Sequence, residues 1–332
     1  MRWVVSAVAL AVLFGEASGV EILRSTGGLA AEVVGLLREP TAFQRAPDNS
    51  YLVLDGRSHV VYRVSRSGTD ATKIVQIGPE SGRVIGPSAL VLAGNRFMVA
   101  DGPDRRERVQ LFDLDGTRVS GFWLPGRATP RITVGALTLS GVSSLQWTGR
   151  SILMSQPEFG GLMTEFTVGG QPYRTIGVFR TTGHETDRDV HLALNSGLPL
   201  VDPTGGYYFV FQAGLPMFRK YDADGRLLFE RHIEGPELDA TIQTMPTTWP
   251  RQPDETGREL PLIPPTVRAA AVAPNGDLWV SLRVPYTYVY DPNGEKVRTV
   301  QFQAAGTVSP DSFFFESRNR LLVTPGCYIF TV

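Results

Sequence analysis

After residue 38 the chain repeats one unit, and that repetition limits its fold more than any other feature. Each unit has a short strand-forming run, a second such run, a polar turn containing Gly, and a third run. One copy reads Tyr51-Leu52-Val53-Leu54-Asp55, Val60-Val61-Tyr62-Arg63-Val64 and Ser67-Gly68-Thr69. Another reads Phe97-Met98-Val99-Ala100-Asp101, Val109-Gln110-Leu111-Phe112-Asp113 and Asp115-Gly116-Thr117. A period of roughly 40–50 residues made of strands specifies sheets repeated radially about an axis. Helical periodicity is scarce, while 35 Gly and 24 Pro suit short strands joined by turns.

The units give an all-β fold, a six-bladed β-propeller. Blade one spans about Thr41 to Gly78, with Pro47-Asp48-Asn49-Ser50 as its first hairpin turn. Blade two spans about Ser88 to Pro125, and its last hairpin, Asp115-Gly116, reads as a type I′ pair. Blades three, four and five cover about Val142 to Phe179, Pro199 to Ile233 and Val267 to Phe302. The last unit supplies strands Ser312–Glu316, Arg320–Val323 and Cys327–Thr331 and then stops. Val20-Glu21-Ile22-Leu23-Arg24 is the expected fourth strand, so that an N-terminal strand closes the last blade and leaves no free edge. The stretch 232–265 breaks the period. It is Pro-rich, holds a turn or two of helix near Pro236–Ile242, and reads as a cover over one face. Arg180 to Ser196 is a second unusual connection.

These units resemble the NHL-repeat family of six-bladed propellers. The second carries the pattern best, in Asn95-Arg96-Phe97-Met98-Val99-Ala100-Asp101 and Arg108-Val109-Gln110-Leu111-Phe112-Asp113-Leu114-Asp115-Gly116. The resemblance implies a binding platform. Related six-bladed enzymes include calcium-dependent lactonases similar to gluconolactonase, whose channel metal is held by Glu, Asn and Asp. Glu39 occupies a place comparable to that family's Glu, so Ca²⁺ belongs to this alternative alone. The later ligand positions are unmatched, because Arg268-Ala269-Ala270-Ala271-Val272-Ala273 offers no carboxylate or amide.

Residues 1–19 read as a secretory signal peptide: Met1-Arg2, an apolar run from Trp3 to Phe14, then small residues. The run is too short for a membrane helix, which needs about 20 apolar residues. Residues 20–332 then form the propeller, with no transmembrane segment after cleavage, and a secreted or periplasmic location is expected. With 32 basic and 33 acidic residues and no basic stripe, a nucleic-acid partner is not expected. Cys327 is the one cysteine, which precludes an internal disulfide; it reads as a small buried strand residue.

Alternating strand directions place the loops between second and third strands on the same face as the connections between blades. That face collects the candidate ligand-binding residues Arg57, His59, Asp101, Asp104, Arg105, Gln156, Glu158, Gln212, Arg268 and Arg283. Arginine suits capture of a carboxylate or phosphate. His184 and His191 flank several carboxylates, but their spacing fits no zinc motif and the segment reads as a solvated acidic loop. No nucleophile elbow, phosphate loop or dinucleotide fingerprint occurs. The expectation is a monomeric, non-catalytic binding or scaffold module without a cofactor, recognising a protein, peptide or glycan. The alternative is a Ca²⁺-dependent lactonase or hydrolase.

Overall fold

The second and third strands of each unit bury side chains on both faces, as in Tyr51–Asp55 and Arg96–Asp101, so they read as continuous apolar runs. A computed structural model of the protein describes residues 19–103, 106–124, 133–134, 137–138, 142, 144–253 and 257–332. The fold is all-β and propeller-like. Its first sheet holds Pro40–Arg45, Tyr51–Asp55, Val60–Val64 and Ala71–Val75 in antiparallel order. The second holds Ala89–Ala93, Arg96–Asp101, Arg108–Asp113 and Arg118–Trp123. The third runs from Gln146–Trp147 to Pro172–Ile176 and the fourth from Gly197–Val201 to Leu227–His232.

Beside two short two-stranded sheets, nine strands form one sheet with two arms. One arm runs from Val267–Val272 to Lys296–Gln303, with Thr307–Val308 paired on the latter; the other holds Ser312–Ser317, Arg320–Thr324 and Tyr328–Thr331. Strand β1 (Val20–Gly28) joins them, and the short helix α1 (Ala31–Val34) follows it. Here the structure corrects the sequence expectation. Val20–Arg24 does not complete the last unit; it pairs in parallel with Thr299–Gln303 of the neighbouring arm. The fourth position beside Tyr328–Thr331 is filled by Ser25, Gly27 and Gly28, antiparallel and across a bulge. The Glu21 carboxylate accepts two bonds from Arg298, at 2.8 and 2.9 Å, and so fixes the parallel half.

The core is divided among the spaces between neighbouring sheets. Leu52, Leu54 and Val61 of the first sheet meet Phe97, Val99 and Phe112 of the second. Met98 and Leu111 continue to Ile152 and Phe166 of the third, and Leu153 and Met163 to Phe209 and Phe211 of the fourth. Tyr208 and Phe218 then meet Leu278 and Val280. Trp279 and Phe302 pack on Leu321 and Phe330 of the other arm, whose Leu322 and Ile329 return to Phe43 and Val53 of the first sheet. The first strands of the units likewise contact one another in a cycle around the axis.

Two further expectations change. Asp115 does not have positive φ, so Asp115-Gly116 is not a type I′ pair. The Gly116 amide bonds to the Asp113 carbonyl at 3.0 Å and Gly116 alone lies at φ 90°, which is a type I turn followed by a glycine bulge. Cys327 is buried but sits in the turn before Tyr328, at φ 50°, with its thiol pushed up by burial. The expected signal segment falls on residues outside those described, apart from Gly19. Among the described residues no helix is long and apolar enough to cross a membrane.

The double role of β1 yields a test at adjacent glycines. A β-carbon on Gly28 would stand 2.8 Å from the Cys327 carbonyl oxygen, while one on Gly27 meets nothing within 4 Å. Gly28→Ala is predicted to cost about 1–3 kcal/mol and lower the melting temperature by a few degrees. Gly27→Ala should leave it within error of wild type by calorimetry. Equal melting of the two variants would contradict this account of the seam.

Candidate functional site

The first strand of each unit lies at the axis, and small and polar side chains predominate where it begins. Where these strands begin, residues including Thr41, Ser88, Gln212, Arg268, Asp311 and Ser312 line a cavity of about 140 Å³. Further along the same strands, Leu92, Leu200, Val272, Phe313 and Phe315 help to line a second cavity of about 220 Å³. Gln44, Gln146, Ala270 and Phe313 line both. The lining side chains therefore change from largely polar at one mouth to largely apolar beyond a waist of amides, with polar groups still facing the second cavity. Gln44 is fixed there: its amide nitrogen donates to the Leu90 carbonyl and its oxygen accepts from the Leu92 amide, each at 3.0 Å.

Arg268 and Asp311 are the charged groups among the described lining residues, and they form an ion pair across the mouth. Each is partly shielded, with 27% and 15% of its side chain exposed. Burial pushes the Asp311 carboxyl above its ordinary range, and the Arg268 guanidinium opposes that rise. Nη2 of Arg268 serves Asp311, while its buried Nε and the buried Ser88 Oγ have no hydrogen-bond partner among the described residues.

The expected site residues divide in three. Arg268 and Gln212 line the mouth. Gln212 also anchors the return of the long insertion, its carbonyl accepting from the amides of Thr266 at 2.7 Å and Val267 at 3.2 Å. Arg57 and Arg283 are exposed loop residues outside the lining, and His59 is half-buried in a turn at φ 55°. Asp101 and Gln156 lie beneath the face. Asp101 is fully buried, and its two oxygens accept from Nε and Nη2 of Arg108, both at 2.8 Å. It therefore ties the second sheet together, as buried Asp55 ties the first by accepting from the amides of Arg38, Glu39 and Ser58. Gln156 is buried and caps the short 3₁₀ turn Pro157–Phe159, on which Glu158 is exposed. Asp104 and Arg105 lie outside the described residues.

Glu39 does not line either cavity; its amide donates to Asp55 and its carbonyl accepts from Gly56. Among the described residues no group of three or more His, Cys, Asp or Glu could hold a metal ion. Ca²⁺ takes about six to eight oxygen ligands. Among the described residues the mouth offers one carboxylate, already held by Arg268, and this donor set does not fit that ion. The lining that sequence reading passed over, notably Ser88, Gln146, Asp311 and Phe313, comes from the starts of separate units. Its one signal is the scarcity of bulky residues there, as in Ala269-Ala270-Ala271.

The two long connections interlock on this face. The 177–196 segment ends in α2 (Arg188–Leu194), capped by Asp187, so it is not the solvated loop that its charges suggest. The 232–265 insertion begins with α3 (Pro236–Gln243), whose Leu238 packs between the fourth sheet and its neighbour. It continues as a hairpin, Arg251–Pro253 with Glu259–Pro261. Arg251 pairs with Asp187 and Arg258 with Asp189, while Ile263 and Trp249 pack on Val190, Leu194 and Ala193. Beneath them Arg180 reaches the carbonyls of Leu194, Ala213 and Leu215 and lies 4.3 Å from the Phe211 ring centroid. Burial lowers its pKa to about 10.

The hydrogen bond from Arg251 holds the Asp187 carboxyl below its ordinary range. A depressed folded-state pKa gives a contribution that is present at neutral pH and lost only as pH falls below about 3.9. Hairpin amide exchange, corrected for intrinsic rate, should be flat from about pH 7 to 5 and rise toward pH 3. At neutral pH, Arg251→Ala with Arg258→Ala should raise it several-fold, because exposed pairs contribute roughly 0.2–1 kcal/mol each. Exchange in Tyr207–Phe211 should not move. An unchanged hairpin would remove the latch.

No protein-family model matches the sequence, and no curated protein matches it. Solved structures do. A catalytically inactive virginiamycin B lyase from Staphylococcus aureus with quinupristin superposes with a TM-score of 0.55 at 9% identity, covering 89% of this chain and 95% of that one. A PQQ-bound aldose sugar dehydrogenase from Streptomyces coelicolor gives 0.52 at 10% identity, covering 95% and 98%. A streptogramin B lyase gives 0.50 at 11% identity, covering 88% and 92%. Enzymes of different chemistry thus share the architecture, and at these identities the likeness shows the propeller fold alone.

Proposed function

We propose that this chain is an exported, NHL-like binding propeller of six blades, recognising a protein, peptide or glycan at the channel mouth. In this reading the two arms joined by β1 count as separate blades, each with its own packed face against the next. The observation that carries the function is the chemistry of the mouth: hydroxyls and amides around one arginine–aspartate pair. Hydroxyls and amides donate and accept hydrogen bonds but do not titrate near neutral pH, which suits recognition more than proton transfer. Rigid strands hold them, so little ordering cost opposes binding. Arg57 and Arg283 extend the same face outward and serve the rim of a larger ligand.

The test is capture from peptide and glycan arrays by the mature chain, residues 20–332. Arg268→Gln is made together with Asp311→Asn, so that neither charge is left buried alone. Ligands captured by wild type should fall about tenfold or more in the double variant, about 1.4 kcal/mol. Arg57→Ala with Arg283→Ala should give a smaller loss. Hits untouched by both pairs would overturn the assignment to this face. A melting temperature raised several degrees by Ca²⁺ over EDTA would instead favour the metal-dependent hydrolase.

A further inference from the structure

We infer that the mouth, together with the channel behind it, also takes a free α-amino acid with an apolar side chain. The inference goes beyond the binding of a macromolecule but rests on the same reading of the mouth as a recognition site. Three observations converge on it. The first is charge. Arg268 and Asp311 are the charged groups of the described lining, and they stand together as a neutral pair among uncharged neighbours. A ligand bearing only a carboxylate would bring a second anion to Asp311, and one bearing only an ammonium a second cation to Arg268. A zwitterion offers each charge its opposite. A guanidinium has five N–H donors, and the buried Nε of Arg268 has no partner among the described residues, so the arginine keeps capacity for an incoming carboxylate.

The second observation is the change in side chains along the channel. Past the amides of Gln44 and Gln146 the wall residues include Leu200, Val272, Phe313 and Phe315, although polar groups still supply about half of the surface there. A sugar, with hydroxyls all round, would set some of them against those hydrocarbon side chains, which is costly. A hydrocarbon side chain pointing away from the charged end matches them. The third is size. The two adjoining cavities, about 140 and 220 Å³, together reach only the lower end of the roughly 300–1,000 Å³ of pockets for drug-sized ligands. One residue fits the space better than a folded loop or an oligosaccharide.

L-Leucine and L-phenylalanine are the probes, titrated into residues 20–332 by calorimetry. Glycine, leucinamide and 4-methylpentanoate lack the side chain, the carboxylate and the ammonium respectively. Leucine or phenylalanine should bind saturably, and each of the three controls about tenfold or more weakly. Arg268→Gln with Asp311→Asn should abolish the binding, whereas Arg57→Ala with Arg283→Ala should not alter it. Ala271→Phe, which fills the apolar end, should also abolish it while circular dichroism stays native. No binding of either amino acid overturns the inference. So does equal binding of 4-methylpentanoate or leucinamide, and so does binding that survives loss of the charge pair. If array ligands are lost in that variant while amino acids never bind, the mouth reading stands and this inference alone falls. If neither responds, both fall.

Discussion

Neighbouring sheets are spaced by a glycine. At Gly116 a β-carbon would stand 2.2 Å from the carbonyl oxygen of Ile74, on the outer strand of the preceding sheet. The backbone is also at φ 90°, where a side chain is disfavoured by about 1–2 kcal/mol. Gly170, Gly225 and Gly294 hold the same turn in later units, pressed on Phe122, on Arg174 and Ile176, and on Phe229. Each turn thus does two jobs. It reverses the chain between third and fourth strands, and it sets how closely one sheet lies on the last. The apolar clusters between sheets depend on that spacing, since dispersion contacts fall away steeply across a gap.

The spacing of the sheets in turn fixes the axis. First strands brought into a cycle leave a narrow passage, and its lining is chosen by size before chemistry. Where the strands enter, hydroxyls, amides and the Arg268–Asp311 pair face the opening. Where they leave, leucine, valine and phenylalanine help to line it. The long connections latch beside the mouth on the same side, because outer strands end where inner strands begin. The polar mouth and the long connections share that face through strand direction.

Much of this architecture was legible in the chain. The runs at Tyr51–Leu54, Val60–Val64, Tyr207–Phe211 and Met217–Tyr221 announce themselves because strands buried on both faces are apolar throughout. Helix α3 was visible in Pro236–Ile242, and the interruption at 232–265 in its proline content. The hairpin at Arg251–Pro261 was hidden by that same proline, which removes a backbone donor and argues against a strand. The site was legible only in part. Arg268 and Gln212 were found by counting strand directions, but the same counting brought in Asp101, which proved to be buried under Arg108. Position along a strand can be read from sequence; which way a strand-end carboxylate turns depends on partners such as Ile85 and Arg108 that come from elsewhere. Asp311 and Ser88 were missed because a lining shared among units has no local pattern.

Strand β1 has a consequence for the order in which the molecule can be made. It precedes every other strand of the fold in the chain, whereas its partners, Thr299–Gln303 and Tyr328–Phe330, follow nearly all the rest. Until they arrive, the earlier units stand as an open arc with unpaired strand edges at both ends, the form most prone to pairing with another chain. A chain cut short before Tyr328 would lack half of the seam. Only a chain carried through Tyr328–Thr331 gives β1 both of its neighbours, so closure of the ring registers that the last unit has been made.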